Sequence, residues 1–332
     1  MELPARAARL DATMTVPKPL DFAIIGAQKS GTTSMFQYLR KHPRLYLPPE
    51  KELPFFSRDD LYEAGWPALV ATYFRDAAPE TLWGTASPQY MADPRVPERM
   101  ARANPDLRLI ALLRNPIDRA FSHYSQSLRR NMEARPFARA VDDLLQADAL
   151  ARDRETIPPD YARGYSQANA EVNRFYLVWS EYARALDRFL RYFPKEQLLV
   201  LYMEDLRRDP QATLSSVMRF LGLAPDFQPS NLGKVYHKGG DQPLIPATWK
   251  ERVKRNRLFR LVWDRVPPRS RGLINYWYDQ HNVRPAKDAA ASAPTPDVRQ
   301  RLAAHFRDEV RRVEQLVGKP APWRDFQSPP SS

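Results

Sequence analysis

The sequence contains no cysteine, which excludes disulfide bonds, thiolate metal sites and cysteine nucleophiles. This absence also fits a protein that folds in a reducing compartment. No run of 18 apolar residues occurs, so no segment is predicted to span a membrane. The first 19 residues lack the apolar core of a secretory signal peptide. The five histidines show no metal-ligand spacing. We therefore expect a soluble, cytoplasmic protein with no bound metal.

Positive charge is what the sequence has in excess. It carries 51 Lys and Arg against 39 Asp and Glu, for a formal net charge of +12. Such an excess attracts anions in general, including nucleotides, polyanionic sugars, nucleic acids and lipid headgroups, and it does not select among them. With 332 residues, 43% of them hydrophobic, the chain is long enough and apolar enough for one large α/β domain.

Three apolar runs predict buried β-strands. They cover residues 22–26, 107–113 and 198–202, and an amphipathic helical pattern follows each one. Strands that are apolar almost throughout are typical of a parallel sheet covered on both faces. The alternation of strand and helix therefore predicts an α/β fold, a P-loop-like three-layer sandwich with a central parallel sheet and helices on both faces.

One domain is predicted over residues 20–323, between a flexible N-terminus (1–19) and a flexible C-terminus (324–332). Residues 131–170 are mixed and turn-rich, and they are interpreted as a variable insertion over one end of the sheet. Residues 244–287 interleave basic and aromatic side chains. Three interpretations of this segment stay open. Its aromatic side chains could belong to the core while its basic side chains face solvent, or the segment could form an acceptor-binding lid or a peripheral membrane contact. Nucleic-acid binding also fits the pattern but is not expected.

The loop between the first strand and its helix reads Gly-Ala-Gln-Lys-Ser-Gly-Thr-Thr over residues 26–33. Its backbone N–H groups and the helix N-terminus would form a phosphate site. The two glycines keep the Walker A spacing, but Thr32 stands where that motif has lysine, and Lys29 lies inside the loop. A lysine there lies near a group attached to a 5′-phosphate. An ordinary strand-to-helix turn and a divergent nucleoside triphosphate site are the alternatives.

This loop, following a buried strand, resembles the 5′-phosphosulfate loop of sulfotransferases that use 3′-phosphoadenosine-5′-phosphosulfate (PAPS). The resemblance is closest to the branch containing the heparan sulfate N- and O-sulfotransferases and their bacterial relatives. It implies PAPS as the sulfuryl donor and no metal. In that family the loop lysine contacts the oxygen between phosphate and sulfate, and the loop binds the 5′-phosphate. By the resemblance these roles fall on Lys29 and on Ser30, Gly31, Thr32 and Thr33.

A PAPS site needs a second anion-binding group for the 3′-phosphate. Arg114, at the end of the second predicted strand, and Ser122, on the following helix, suit this role because arginine binds phosphate bidentately. The stretch 114–122 also resembles the family's 3′-phosphate motif. A third nucleotide contact is predicted at a Gly-rich stretch similar to the family's late Lys-Gly-Arg loop, with a plain surface turn as the alternative. It consists of Lys238, Gly239 and Gly240.

A general base is required because an acceptor hydroxyl must lose its proton as it attacks sulfur. Glu52 resembles the glutamate that serves as base in the heparan branch; the alternative is an exposed acid paired with Lys51. Acceptor contacts are assigned by resemblance to Lys51, Ser87 and Tyr90. Polar residues that many relatives carry just before the serine are replaced by Thr85 and Ala86. This departure weakens the case for a heparan-like acceptor.

These observations predict direct in-line sulfuryl transfer to a hydroxyl or amine of a carbohydrate, lipid or small natural product, without a covalent enzyme intermediate. Lys29 and Glu52 are the predicted catalytic residues, and His237 is the next candidate base. Two alternative hypotheses for the function stay open at this point. One is a P-loop kinase or NTPase-like enzyme, and the other is a basic protein that binds membranes or nucleic acid.

Overall fold

Five parallel strands form the central sheet in the order β2-β3-β1-β4-β5. The structure is a computed structural model that describes residues 18–129, 132–157, 174–236, 241–242, 263, 266, 284–285 and 293–327. In chain order the strands are β1 (Phe22–Gly26), β2 (Leu45–Tyr46), β3 (Leu82–Ala86), β4 (Arg108–Leu113) and β5 (Leu198–Tyr202). The predicted α/β fold with a central parallel sheet is confirmed, and the three apolar runs form β1, β4 and β5.

Helices cover the sheet on both faces. In chain order they are α1 (Thr32–Leu39), α2 (Asp59–Glu63), α3 (Trp66–Leu69), α4 (Val96–Ala103), α5 (Pro116–Arg129), α6 (Phe137–Leu144), α7 (Ala147–Glu155), α8 (Tyr182–Leu190), α9 (Met203–Arg208), α10 (Pro210–Phe220) and α11 (Pro296–Val317). A π-helical turn, Val70–Phe74, continues α3, and short 3-10 turns lie at Val178–Ser180, Lys195–Gln197 and Arg324–Phe326. Asp241–Gln242 and Arg284–Pro285 pair as a separate antiparallel ribbon.

The two faces of the sheet belong to two hydrophobic clusters. Successive side chains of a strand point to opposite faces, so Phe22 and Ile24 of β1 join one cluster while Ala23 and Ile25 join the other. Helices α1 and α10 pack in the cluster of Phe22. Helices α4, α5, α8 and α11 pack in the larger cluster of Ala23. A sheet buried on both faces explains why its central strands are apolar throughout.

Helix ends follow the sequence signals. The side chain of Asp209 accepts a hydrogen bond from the backbone N–H of Ala212 at 2.8 Å and caps α10, which begins at Pro210. Gly318, with φ of 76°, ends α11. Part of the stretch interpreted as an insertion is helical, as α6 and α7. Packed structure also continues past the predicted domain end at residue 323, because the turn Arg324–Phe326 packs on α11.

Within the described ranges, no helix combines the length and the apolar character needed to cross a membrane.

Candidate active site

Three predicted site segments lie at one edge of the sheet, after three adjacent strands. β1 leads into the Lys29 loop, and its neighbour β4 ends next to Arg114. On the other side of β1, the carbonyl at the end of β3 (Ala86) accepts a hydrogen bond from the N–H of Glu52 at 2.9 Å. Parallel strands bring their carboxyl ends to the same edge, where α/β sheets bind ligands. Lys29 and Arg114 therefore lie at the same edge, as a single nucleotide site requires.

The Lys29 loop, residues 26–31, has the backbone of an anion cradle. It is tied to β4 through the N–H of Ala27, which donates to the carbonyl of Leu112 at 2.7 Å. Gly31 precedes α1 with φ of 85°, a left-handed conformation that favours glycine. Within the described residues, no side chain caps the first turn of α1. The N–H groups of that turn lack intrahelical partners and point outward, so they suit an anionic group.

The loop side chains differ in how far they can reach a ligand. Lys29 and Thr33 are half-buried, so parts of both side chains reach the surface. Ser30 is fully buried and lies next to the hydroxyl of Tyr182, so its backbone is the part placed to meet a ligand. Thr32 is 4% exposed. The predicted phosphate contacts at Ser30 and Thr32 therefore involve mainly the main chain.

Arg114 is a half-buried cation beside the loop. Its Nη1 lies 3.5 Å from the carbonyl oxygen of Lys29, and its own carbonyl accepts a hydrogen bond from the Tyr182 hydroxyl at 2.9 Å. Burial lowers the pKa of Arg114, and Arg207 adds to this, whereas the charge of Asp118 acts in the opposite direction. A guanidinium that burial disfavours in this way is stabilised when an anion binds to it. This environment fits the predicted phosphate-binding role.

Ser122 lies on α5, six residues after its first residue Pro116, which is about 9 Å along the helix axis. It is half-buried. The third predicted nucleotide contact, Lys238 with Gly239 and Gly240, lies outside the described residues, as does His237. The same holds for all but a few residues of the basic segment 244–287.

The turn after Arg114 is held by the C-terminal part of the domain. Asn115 caps α5 through its Oδ1, which accepts from the N–H of Ile117 at 3.0 Å. Its Nδ2 donates to Asp325 at 2.7 Å, and Arg299 holds Asp325 with two hydrogen bonds of 2.9 and 2.6 Å. Glu204 accepts from the N–H of Asn115 at 3.1 Å. These contacts fix the backbone on which Arg114 is mounted.

Glu52 is held from two sides at the edge of the sheet. Lys51 Nζ donates to Oε1 at 2.6 Å, and Gln89 Nε2 donates to Oε2 at 2.9 Å. Both contacts suit the ionised carboxylate, the form that accepts a proton. The side chain of Glu52 is 42% exposed and that of Lys51 is 15% exposed. The ion pair between Glu52 and Lys51, expected if Glu52 were simply an exposed acid, is thus present. Gln89 adds a second contact that orients the carboxylate.

Ser87 and Tyr90 were predicted to contact the acceptor, and the structure places them differently. Each is 1% exposed, and both hydroxyls donate to the carbonyl of Leu53, from Ser87 at 2.9 Å. Burial raises the pKa of Tyr90, which keeps its hydroxyl protonated as a donor. The N–H of Ser87 donates to Ile24 at 3.0 Å. Both side chains therefore support the Glu52 segment against β1 instead of facing an acceptor.

Lys29 and Glu52 share an unusual backbone conformation. Among the residues that the structure describes, they are the only non-glycine residues with positive φ, at 69° and 70°. This left-handed region is unfavourable for a side chain with a Cβ, and such strain is concentrated at functional sites. The two residues selected from the sequence as catalytic are thus the two whose backbone the fold holds in a strained conformation.

Sequence reasoning missed three residues that hold the site in place, which are Gln89, Asp325 and Arg299. Gln89 lies between Ser87 and Tyr90, and only the hydroxyl groups of those two residues were assigned a role from the sequence. Asp325 and Arg299 are far from Asn115 in sequence, and a local pattern carries no signal for such a contact. Their acidic and basic side chains are common surface types, so only the tertiary structure identifies them.

Comparison with known proteins agrees with this geometry. A family model described as a sulfotransferase domain matches residues 19–238, more than half of the chain. Heparan sulfate glucosamine 3-O-sulfotransferase 5 of Mus musculus is 30% identical over 226 residues, covering 67% of this chain and 58% of that protein. Bifunctional heparan sulfate N-deacetylase/N-sulfotransferase 3 of Homo sapiens is 29% identical over 283 residues, covering 80% of this chain and 29% of that protein. The chain thus spans less than two thirds of each of these relatives.

A solved structure is similar over nearly the whole chain. The crystal structure of a sulfotransferase from Alicyclobacillus acidocaldarius superposes with a TM-score of 0.60 at 25% identity, covering 92% of this chain and 98% of that one. The family match, the curated relatives and the shared fold agree with the resemblance found in the Lys29 loop. The chain belongs to the sulfotransferase family.

Proposed function

We propose that this sulfotransferase uses PAPS as its donor and moves the sulfuryl group to a hydroxyl or amine of an acceptor molecule. The observation that carries the proposal is the backbone strain that Lys29 and Glu52 share. Lys29 follows β1, and Glu52 is hydrogen-bonded to the end of the adjacent strand β3 at the same edge of the sheet. One of these residues belongs to the predicted donor loop and the other to the predicted acceptor side. PAPS supplies an activated sulfuryl group attached to a phosphate.

On the donor side, the residues present fit a nucleotide with two anionic ends. The first turn of α1, which no described side chain caps, and the backbone of residues 29–33 suit the 5′-phosphate. Lys29 would neutralise negative charge that develops on the departing nucleotide, and a preformed cation does so without reorganisation. Arg114 is a half-buried cation that follows the neighbouring strand β4, and it suits the 3′-phosphate. Tyr182 connects the two sites, because it lies beside Ser30 and donates to the carbonyl of Arg114.

On the acceptor side, Glu52 would take the proton from the attacking hydroxyl. Lys51 and Gln89 orient its carboxylate through hydrogen bonds, while Ser87 and Tyr90 fix the backbone that follows it. The acceptor oxygen forms its bond to sulfur as the bond from sulfur to the phosphate oxygen breaks. The negative charge is left on the nucleotide, where Lys29 and the loop N–H groups stabilise it.

The acceptor is proposed to be a carbohydrate, a lipid or a small natural product. The two mammalian relatives are named for heparan sulfate, which favours a carbohydrate. The basic segment 244–287 would border the acceptor or contact a membrane surface.

Two experiments test the proposed function. Mass spectrometry of acceptors incubated with protein and PAPS should reveal added sulfonate. On a hydroxyl acceptor found in this way, Glu52→Gln should lower turnover on the order of 100-fold, because a positioned base contributes about that much. Its affinity for the product nucleotide 3′-phosphoadenosine-5′-phosphate (PAP) should stay within about twofold.

Glu98→Gln is the matched control, since Glu98 is an exposed glutamate on α4 that pairs with Arg102. It should retain normal turnover. Lys29→Ala should lower both nucleotide affinity and turnover, because its charge acts on the bound donor and on the transition state. Near-normal turnover by Glu52→Gln would remove Glu52 from the mechanism and move the search for a base to His237.

A further inference from the structure

A pocket opens beside the donor loop, between the turn after β3 and helix α8. We call it the α8 pocket. The residues that define it for this argument are Gln28, Pro88, Met91, Trp179, Arg184 and Arg188. Gln28 precedes Lys29 in the loop, and Pro88 precedes the Gln89 that holds Glu52. The pocket is thus lined by the chain neighbour of Lys29 and by the chain neighbour of the residue that holds Glu52, which places it on the acceptor side of the donor loop.

The acids that line the α8 pocket are already paired with arginines. Glu181 is buried and accepts three hydrogen bonds from Arg154, at 3.2, 2.9 and 2.7 Å. Asp153 is also buried and accepts from Arg152 at 3.0 Å and from Arg174 at 2.9 Å. Because these carboxylates are satisfied by cations of the protein itself, they do not make the pocket a site for a positively charged ligand.

Arg188 has no such carboxylate partner among the described residues. A guanidinium has five N–H donors, and the hydrogen bonds of Arg188 run to two backbone carbonyls, of Ala92 and Arg154, both at 3.4 Å. These distances are longer than usual for this type of bond. Among the residues that the structure describes, no carboxylate lies within ion-pair distance of Arg188. Most of its donor capacity is therefore available to a ligand in the pocket.

The surroundings of Arg188 also favour an anion. Burial lowers its pKa, and the cations Arg184 and Arg191 lower it further, whereas Glu155 and Asp93 act in the opposite direction. Asp93 is itself held by Arg95 at 2.7 Å. A cation placed among other cations and partly removed from water gains most when an anionic group binds to it.

Gln28 adds a second polar contact at the loop end of the pocket. Its Oε1 is buried and has no hydrogen-bond partner among the described residues. Leaving a buried acceptor atom unpaired is unfavourable, and a donor on a ligand would satisfy it. The pocket thus offers an acceptor atom near the catalytic residues and a strong donor group at Arg188.

We infer that the α8 pocket binds an anionic group of the acceptor, a carboxylate or a sulfate, through Arg188. This inference rests on the proposed function and deepens it. An acceptor whose acidic group lies on Arg188 would present a neighbouring hydroxyl toward Gln28 and the loop. Arg188 is then a residue that determines specificity, since a neutral acceptor would leave its charge uncompensated.

The test compares three hexasaccharides by calorimetry with the PAP-loaded protein. The first alternates glucuronic acid and N-acetylglucosamine and carries carboxylates. The second is the same sugar with every carboxyl group reduced to an alcohol, and it is neutral. The third is carboxyl-reduced but N-sulfated, so it carries sulfates alone. Both charged sugars, or one of them, should bind at least 10-fold more tightly than the neutral one, and the tighter of the two identifies the anion.

Arg188→Gln should remove most of this preference, with a loss of about 10-fold or more, as expected for a charged hydrogen bond. Arg188→Lys should lose less, because it keeps the charge but not the planar fork. Arg102→Gln is the matched control: it removes the same charge from an exposed site on α4, where the arginine side chain is 69% exposed. It should change affinity by less than about twofold.

Equal losses in Arg188→Gln and Arg102→Gln would mean general attraction to a basic protein and would overturn the inference. The absence of any preference for a charged sugar would also overturn it. PAP binding is measured first, because it distinguishes a failure of the proposed function from a failure of this inference. A protein that fails to bind PAP contradicts the proposed function, whereas normal PAP binding with no effect at Arg188 contradicts this inference alone.

Discussion

The strained backbone at Glu52 leads to a prediction about stability that is independent of catalysis. Glu52→Gly should give a more stable protein than Glu52→Ala. Both variants remove the carboxylate and its contacts with Lys51 and Gln89, and both keep the N–H that donates to Ala86. The pair therefore isolates the effect of placing a Cβ at φ of 70°.

The expected difference follows from two opposing effects. The left-handed conformation costs a non-glycine residue roughly 1–2 kcal/mol, which glycine does not incur. Glycine also gives the unfolded chain more freedom, which lowers stability by about 0.4–1 kcal/mol. Glu52→Gly should thus exceed Glu52→Ala by about 0.5–1 kcal/mol in the free energy of unfolding. Neither variant should be catalytically competent, because both lack the carboxylate proposed to take the acceptor proton.

Urea unfolding of the two variants, monitored by circular dichroism, measures this difference. The same pair of substitutions at Glu98, inside helix α4, is a control with the opposite sign. There glycine should be less stable than alanine by about 1 kcal/mol, because helical backbone disfavours glycine. A Glu52→Gly protein less stable than Glu52→Ala would show that Glu52 is not strained, and it would remove the observation on which the proposed function rests.

Two further predictions concern the turn after β4. Arg114→Ala should lose about 2–3 kcal/mol of the preference for PAP over adenosine 5′-phosphate in calorimetry; equal affinity for the two nucleotides in the unmodified protein would contradict this role. Burial acts to raise the pKa of Asp325, but hydrogen bonds from Arg299 and Asn115 outweigh it and hold the pKa below its ordinary range. Its stabilising effect is therefore present at neutral pH and is lost as pH falls below about 4. Urea unfolding should show Asp325→Asn less stable by roughly 1–3 kcal/mol at pH 7, with the gap narrowing toward pH 3; a gap that is constant over this range would exclude the ionised pair as its cause.

Strand prediction succeeded where burial on both faces left a continuous apolar run. β1, β4 and β5 were predicted from such runs, because each strand is covered by helices on both sides. β3 was not predicted, since Leu82–Ala86 includes a glycine and a threonine. The glycine lies against β1, where a Cβ at position 84 would clash with the ring of Phe22. β2 has two residues, too few for a periodic signal.

The sequence alone determined the family, the parallel sheet and the identity of Lys29, Glu52 and Arg114 as candidate site residues. It could do so because a phosphate-binding loop and its flanking strand and helix are contiguous, so local spacing contains the necessary information. Only the tertiary structure decided how those residues are held. Ser87 and Tyr90 point inward to support the Glu52 segment. The sequence alone does not distinguish this orientation from one in which their hydroxyls face an acceptor. The contact of Asn115 with Asp325 depends on distances between segments far apart in the chain, which only the folded packing sets. The same holds for Arg188, which lines the α8 pocket with no carboxylate partner among the described residues.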